Sequence, residues 1–304
     1  MKKSIIIYLF SLLIYDILVL FYGIDIRFKF VIVFAILISI TGIYLSSDIF
    51  TDVAAKIGKK LEFSGKTVGI LILGIASVFD EIVMSLMAAL EGHGEISFGS
   101  IQGSNTVVML AFFIIIPFYY MKTLKTYRLD AVFILASSII ILAFSFIYED
   151  IPAYIGIIPM IIFIIYFYII NRKNVKTNTA PEFEDYPYIY GLISLLVIVL
   201  GSYAMISSAI VISDIFNITS FFASFILLGV FGSIPEITMV GISLHRHRVG
   251  ESTGLITGST VYKNTLVFAL AAFTSELTLK NSYFSIILML IISIIFLIIT
   301  VFAR

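Results

Sequence analysis

Two glutamates in otherwise apolar runs are the residues of this chain best suited to bind a charged group. Glu81 and Glu236 are 155 positions apart, and the segments around them repeat each other. Positions 73–104 align without a gap to positions 228–259, with 10 identities in 32 positions. A carboxylate at bilayer depth costs on the order of a few kcal/mol, so it is a functional candidate. Two acids at equivalent positions of the two repeats predict one shared site for a positively charged group.

Small residues precede both acids. In positions 74–81 and 229–236 they can loosen the helix just before the acid, and Pro235 adds to this effect in the second copy. Freed carbonyls, serine hydroxyls and the carboxylates would then supply the oxygen ligands that a hard cation such as Ca²⁺ or Na⁺ requires. Glu81 and Glu236 are therefore the candidate metal-binding residues.

A second pair of repeated segments, at 99–105 and 254–260, carries glycines four residues apart. This spacing permits close helix packing, and each segment also brings a hydroxyl near an acid. Packing alone explains the glycines, but it does not explain the two acids.

The elements that must hold these residues are membrane helices. Of 304 residues, 61% are hydrophobic and 12% are charged, and several apolar runs reach the roughly 20 residues that cross a bilayer. We therefore predict an all-α, polytopic membrane protein whose partners are the lipid bilayer and inorganic cations. The net charge of +0, with scattered basic residues, gives no nucleic-acid patch, and the absence of cysteine excludes thiolate chemistry. Without a nucleophile-and-base pair or a phosphate-binding loop, we expect neither an enzyme nor a tightly bound cofactor.

The apolar runs predict ten transmembrane helices. Their ranges are 4–22, 30–49, 67–90, 97–121, 131–148, 154–170, 189–212, 221–244, 254–273 and 283–302. With a cytoplasmic N-terminus, 15 of the 19 lysines and arginines fall on the cytoplasmic side and only three outside, while Lys263 lies within a helix. This bias predicts a multi-pass protein of the cell membrane with both termini in the cytoplasm.

The only sizeable polar break, at 171–187, divides the chain into two halves. We predict an extra N-terminal transmembrane helix at 1–28, a first repeat half at 29–170, a cytoplasmic linker at 171–187 and a second repeat half at 188–304. Glu81 falls on an outward crossing and Glu236 on an inward one, so the repeats have inverted topology. Inverted repeats with discontinuous helices at the midplane are typical of secondary transporters.

The repeated blocks resemble the alpha repeats of the cation/calcium exchanger superfamily, the sodium/calcium exchangers and their relatives. That family carries Gly-Thr-Ser-x-Pro-Glu followed by Gly-Asn-x-x-Gly-Ser-Asn, and the counterparts here are 76–81 with 99–105 and 231–236 with 254–260. The resemblance implies exchange of ions by alternating access. It also implies that Glu81 and Glu236 are the main cation ligands. The hydroxyl or backbone ligands that it implies are Ser77, Ser104, Ser233 and Ser259.

Three positions are expected to modify this site. Exchangers of this family carry a polar or acidic residue one helical turn after the serine of each Gly-Ser pair, and this chain has Val108 and Lys263 at those two positions. The proline that precedes the first glutamate in the family motif is replaced here by Asp80. Asn105 completes the first Gly-Ser-Asn element. Because Lys263 follows Ser259 by four residues, it shares the face that looks toward the acids.

Two interpretations of Lys263 remain open. Its ammonium can pair with Glu81 or Glu236 in place of one bound ion, with its protonation coupled to transport. Alternatively, it forms a fixed ion pair in a protein of altered specificity or without transport activity.

The favoured function is antiport of Ca²⁺ or another cation against Na⁺ or H⁺. A passive cation channel on the same scaffold is the first alternative. An intramembrane enzyme that uses Asp80, Glu81 and Glu236 as acid and base groups is the least favoured. The extra N-terminal helix is expected to take the place of a final helix of the family, or to pack at the periphery or in a dimer contact.

Overall fold

The computed structural model describes residues 2–22, 29–60, 74–115, 124–172, 184–245 and 249–302, and all structural statements concern these ranges. Positions 67–73 and 116–121 of the predicted spans, and 173–183 of the predicted linker, lie outside them. The described residues are mostly helical, and seven helices are long and apolar enough to cross a membrane. The chain is thus a multi-pass membrane protein, and the count of ten crossings stays a prediction.

The helices follow one another in the order that the apolar runs predict. They are α1 (Lys2–Tyr22), α2 (Lys29–Lys60), α3 (Phe79–Leu90), α4 (Gly94–Ile115), α5 (Arg128–Ile147), α6 (Ile157–Arg172), α7 (Tyr188–Phe216), α8 (Ser220–Ser224), α9 (Ile234–His245), α10 (Val249–Tyr262), α11 (Phe268–Thr274) and α12 (Tyr283–Phe302).

Both repeated elements interrupt the α-helix immediately before their acid. A single helical turn, Gly74–Ala76, is separated from α3 by a turn at Ser77 and Val78. In the second half, α8 continues as a π-helical stretch, Phe225–Val230, and a turn at Ser233 precedes α9. A second π-helical stretch, Lys263–Val267, joins α10 to α11. Such stretches leave the regular hydrogen-bond ladder and are frequent at functional sites.

The long helices α2 and α7 pack along each other, and α1 lies against both. Glycines allow the close approach, since a Cβ on Gly191 would lie 2.7 Å from Val53 Cγ1 and one on Gly201 would lie 2.9 Å from Ile43 Cγ1. The strongest contacts of α1 are thus with α2 and α7, and its place relative to the family's final helix stays a prediction.

The remaining helices enclose a second core. In it, α4 crosses the π-helical stretch 225–230 so closely that backbone atoms of the two segments are in contact. A Cβ on Gly103 would meet Gly229 Cα at 2.9 Å, and one on Gly99 would meet the Phe221 carbonyl at 2.7 Å. The second pair of glycines is packed differently, because a Cβ on Gly258 would have no neighbour within 4 Å. Close packing through the repeated glycines therefore involves the first copy in this structure.

The all-α prediction needs one small correction. Two strands of two residues each, β1 (Asp150–Ile151) and β2 (Leu277–Thr278), pair in antiparallel fashion. They join the connection after α5 to the connection after α11, and Leu279 N donates to the Glu149 carbonyl at 2.8 Å. Strands of two residues are too short to show an alternation of apolar and polar residues, so the sequence does not indicate them.

Candidate functional site

Lys263 lies between the two repeated glutamates. Its Nζ is 2.6 Å from Glu236 Oε2 and 3.5 Å from Glu81 Oε1, and all three side chains are buried. Nζ also donates to Ser104 Oγ at 2.8 Å. An ammonium has three donors, and these three acceptors use all of them. A tethered cation therefore occupies the place where the two halves of the chain meet.

Ser104 connects the acids of both halves. Its hydroxyl lies 3.1 Å from Glu81 Oε1 and accepts from Lys263, and Ser233 Oγ lies 3.1 Å away. The Ser233 hydroxyl is 2.6 Å from the Gly229 carbonyl, in the turn before α9. The close crossing of α4 on the 225–230 stretch explains why serines 129 residues apart are in contact.

The second acid has its own hydroxyl partner. Ser259 Oγ donates to Glu236 Oε1, while Glu236 Oε2 accepts from Lys263. Each repeated glutamate thus contacts the Gly-Ser serine of its own half, 23 residues along the chain.

Asn105 and Asp80 lie beside this centre without contacting Lys263 by a hydrogen bond. Asn105 Nδ2 donates to Asn264 Oδ1 at 2.7 Å, and Asn264 donates to Ser137 Oγ at 3.3 Å. Asp80 Oδ1 accepts from the backbone N–H of Glu81 at 3.1 Å, and the side chain is 3% exposed. Asn264 was missed in the sequence, although it is a polar residue next to Lys263 in a predicted membrane span.

Within the described residues, Ser77 has no hydrogen bond to the carboxylates or to the serines around them. Its hydroxyl donates to the Gly74 carbonyl at 2.9 Å, within the short turn that precedes α3. The side chain instead borders a cavity next to the buried acids.

That cavity, of about 90 Å³, lies between α2 and the two acid-bearing segments. The residues of α2 that line it are Tyr44, Ser47, Asp48 and Thr51, and the acids on the opposite side are Asp80, Glu81 and Glu236. Asp48 is exposed, whereas the three acids opposite are buried. Asp48 was not among the predicted site residues, although the rule for acids within apolar spans applies to it as it does to Glu81.

A separate buried carboxylate supports the helix that leads to Lys263. Asp130, at the start of α5, accepts from Tyr166 OH at 3.1 Å and from Thr257 Oγ1 at 2.7 Å. Thr257 lies on α10, just before Ser259. The sequence placed Asp130 in a loop, one residue before the predicted fifth span, so its burial was not anticipated.

The fold and this centre define a multi-pass membrane protein with a buried carboxylate–ammonium cluster between two half-sites. Residues 31–171 and 186–304 match the family model described as sodium/calcium exchanger protein. The chain belongs to the sodium/calcium exchanger family. No curated protein matches it by sequence.

Two solved exchangers share this fold. The crystal structure of the H⁺/Ca²⁺ exchanger CAX superposes with a TM-score of 0.63 at 14% identity, covering 96% of this chain and 92% of CAX. The sodium-calcium exchanger NCX_Mj, soaked with 2.5 mM Na⁺ and 0.1 mM Sr²⁺, superposes with a TM-score of 0.55 at 18% identity, covering 90% of this chain and 92% of NCX_Mj. At these identities the likeness is one of fold.

Proposed function

We propose that this protein is a secondary active transporter that exchanges Ca²⁺ or another cation for Na⁺ or H⁺ by alternating access. Membership of the exchanger family and the fold support the class of transport. The observation that carries the proposal is the burial of Glu81 and Glu236 around one shared positive charge. A cation between two buried carboxylates stabilises their like charges, so a carboxylate pair of this kind can hold a cation.

Lys263 takes the place of one bound cation in this proposal. Its Nζ is held by both glutamates and by Ser104, which are oxygen donors of the type that would otherwise face a diffusing ion. The remaining proposed ligands are the hydroxyls of Ser233 and Ser259 and, at the cavity, that of Ser77.

Ion flux in reconstituted vesicles tests the proposal. We expect uptake of ⁴⁵Ca²⁺ when the vesicles impose an opposing Na⁺ or H⁺ gradient, and loss of that uptake in Glu81→Gln and Glu236→Gln. Glu276→Gln is the matched control, because Glu276 is exposed in a connection far along the chain from both acids. Flux that persists without any counter-ion would identify a passive channel instead.

Changes at Lys263 separate the two interpretations of its role. If the ammonium replaces a cation, Lys263→Met should add about one positive charge to each exchange cycle, which shifts the reversal potential measured in vesicles. Unchanged flux and reversal potential in both Lys263→Met and Lys263→Asp would rule out the replacement. The use of all three ammonium donors also fits the second interpretation, a fixed ion pair, which predicts either altered ion specificity or no flux in the wild type.

The orientation and division of the chain belong to the same proposal. The two halves, 29–170 and 188–304, form inverted repeats joined by the cytoplasmic linker 171–187, and residues 1–28 add the extra helix. The protein lies in the cell membrane, and both of its termini lie in the cytoplasm. Single cysteines introduced at the termini and in the linker can be labelled from either side of the membrane to test this, since the chain has no native cysteine.

A further inference from the structure

The buried centre carries more negative charge than Lys263 can neutralise. Asp80, Glu81 and Glu236 are 3%, 1% and 4% exposed, and Lys263 is the cation that contacts the two glutamates. Three carboxylates and one ammonium leave a formal charge of minus two when all are ionised. Uncompensated charge in a low-dielectric interior is costly, so it must be offset there by a bound proton or by a further cation.

Two buried oxygens next to this charge have no partner within the described ranges. Glu81 uses Oε1 for Lys263 and Ser104, while its Oε2 is buried and accepts no hydrogen bond. Ser47 Oγ, on α2, is likewise buried and unpartnered. Both residues line the cavity on the α2 side of the acids. Buried polar atoms of this kind usually face a water or an ion.

The cavity is large enough to hold water beside an ion. No group of three acidic or imidazole side chains converges as a preformed metal centre in the part of the chain that the structure describes. A cavity of about 90 Å³ is well above the roughly 10–15 Å³ that one water molecule needs, so it has room for an ion together with several waters. Water can then bridge the ion to carboxylates that do not reach it directly.

We propose that this cavity binds the diffusing cation as a partly hydrated divalent ion, with Glu81 Oε2, Asp80 and Ser47 around it and Asp48 at its mouth. This deepens the proposed function and depends on it for the role of the ion as cargo. The ammonium of Lys263 keeps the position between the two glutamates, and the mobile ion lies beside it. Asp48, exposed at the entrance, attracts the ion before it reaches the buried acids.

Equilibrium binding of ⁴⁵Ca²⁺ to the full-length protein in lipid nanodiscs tests this site without requiring transport. We expect Asp80→Asn to raise the Kd for Ca²⁺ by about tenfold or more and Asp48→Asn to raise it about threefold. Asp80→Glu, which keeps the charge, should bind within about threefold of the wild type. The matched control is Asp52→Asn, which removes the same charge one helical turn along α2 from Asp48 and does not line the cavity.

The inference is overturned if the wild type does not bind Ca²⁺, or if Asp48→Asn and Asp80→Asn bind it as the wild type does. It is also overturned if Asp52→Asn weakens binding as much as Asp48→Asn, since a general surface field would then be responsible. Should Asp80→Asn fail to fold, the exposed residue Asp48 still decides the question. Binding that follows the expected pattern without any vesicle flux would uphold this site and refute the proposed exchange.

Discussion

Lys263 and Glu236 form a buried ion pair, with Nζ of the lysine 2.6 Å from Oε2 of the glutamate. The two residues belong to the second half of the chain, 27 positions apart, whereas the contact from Lys263 to Glu81 spans 182 positions. The shorter contact thus lies within one half, and the longer one, at 3.5 Å, joins the halves. With the hydrogen bond to Ser104 at 2.8 Å, the ammonium is held by both halves of the chain.

Removing the ammonium should destabilise the protein strongly. Lys263→Met leaves two buried glutamates without their cation, and breaking such a pair typically costs about 3–5 kcal/mol. We expect the melting temperature in detergent to fall by several degrees, and added Ca²⁺ to recover part of the loss by binding to the folded state. The control is Lys56→Met, because Lys56 pairs with Asp185, whose side chain is 80% exposed, and such surface pairs contribute about 1 kcal/mol or less. Equal shifts for the two variants would contradict the assigned importance of Lys263.

Ser104 and Ser77 should differ in their effect on stability. Ser104 hydrogen bonds to two charged groups, so Ser104→Ala should cost about 1.5–3 kcal/mol. Ser77 donates to a backbone carbonyl of its own turn, so Ser77→Ala should cost about 0.5–1.5 kcal/mol. Thermal melts of both variants at one pH and one ionic strength compare them directly. A larger loss for Ser77→Ala would show that the turn before α3, rather than the charge cluster, limits stability.

The repeated glycines should respond unequally to an added methyl group. Gly103→Ala places a Cβ against Gly229 and the Phe225 backbone, so overpacking of about 1–3 kcal/mol is expected. Gly258→Ala meets no atom within 4 Å and should be neutral or stabilising by about 0.5–1 kcal/mol. Melting temperatures and size-exclusion profiles of the two variants provide the comparison. The prediction is wrong if Gly258→Ala is the more harmful change.

Asp130 should matter more than an exposed acid that makes a similar hydrogen bond. Asp130→Ala leaves Tyr166 and Thr257 without a carboxylate acceptor in a buried position, at a cost of about 1–3 kcal/mol. Asp150→Ala removes an exposed hydrogen bond to Thr278 and should change stability by less than about 1 kcal/mol. The melting temperature decides between these outcomes, and no difference between the two variants would argue against a supporting role for Asp130.

Helix order and the position of the acids were predictable because they depend on local patterns. The predicted span 283–302 has the same limits as α12. The α-helix is interrupted before each glutamate, where the small residues predicted it. The spacing of four residues between Ser259 and Lys263 placed both on one face. In the structure both contact Glu236, and Lys263 also reaches Glu81.

Features that depend on packing between distant segments were not predictable. From the sequence, the hydroxyl of Ser77 could donate either to a backbone carbonyl of its own turn or to a carboxylate. In the structure it donates to the Gly74 carbonyl, which follows from the geometry of that turn. The cavity at Asp48 exists only because α2 lies across the segments that carry the acids. The two π-helical stretches were not predicted either, since the residue types at 225–230 and 263–267 do not indicate them.

A positive charge that is covalently part of the protein also affects the step in which an exchanger reorients without cargo. An empty pocket of bare carboxylates resists this movement, because uncompensated charge is costly inside a low-dielectric barrier. In this structure the ammonium of Lys263 pairs with Glu236, and such a pair removes part of that penalty. Within the proposed cycle, unloaded molecules would therefore return more readily than those with an all-acid pocket. The carrier would slip, allowing some net movement of its substrate without an exchange partner.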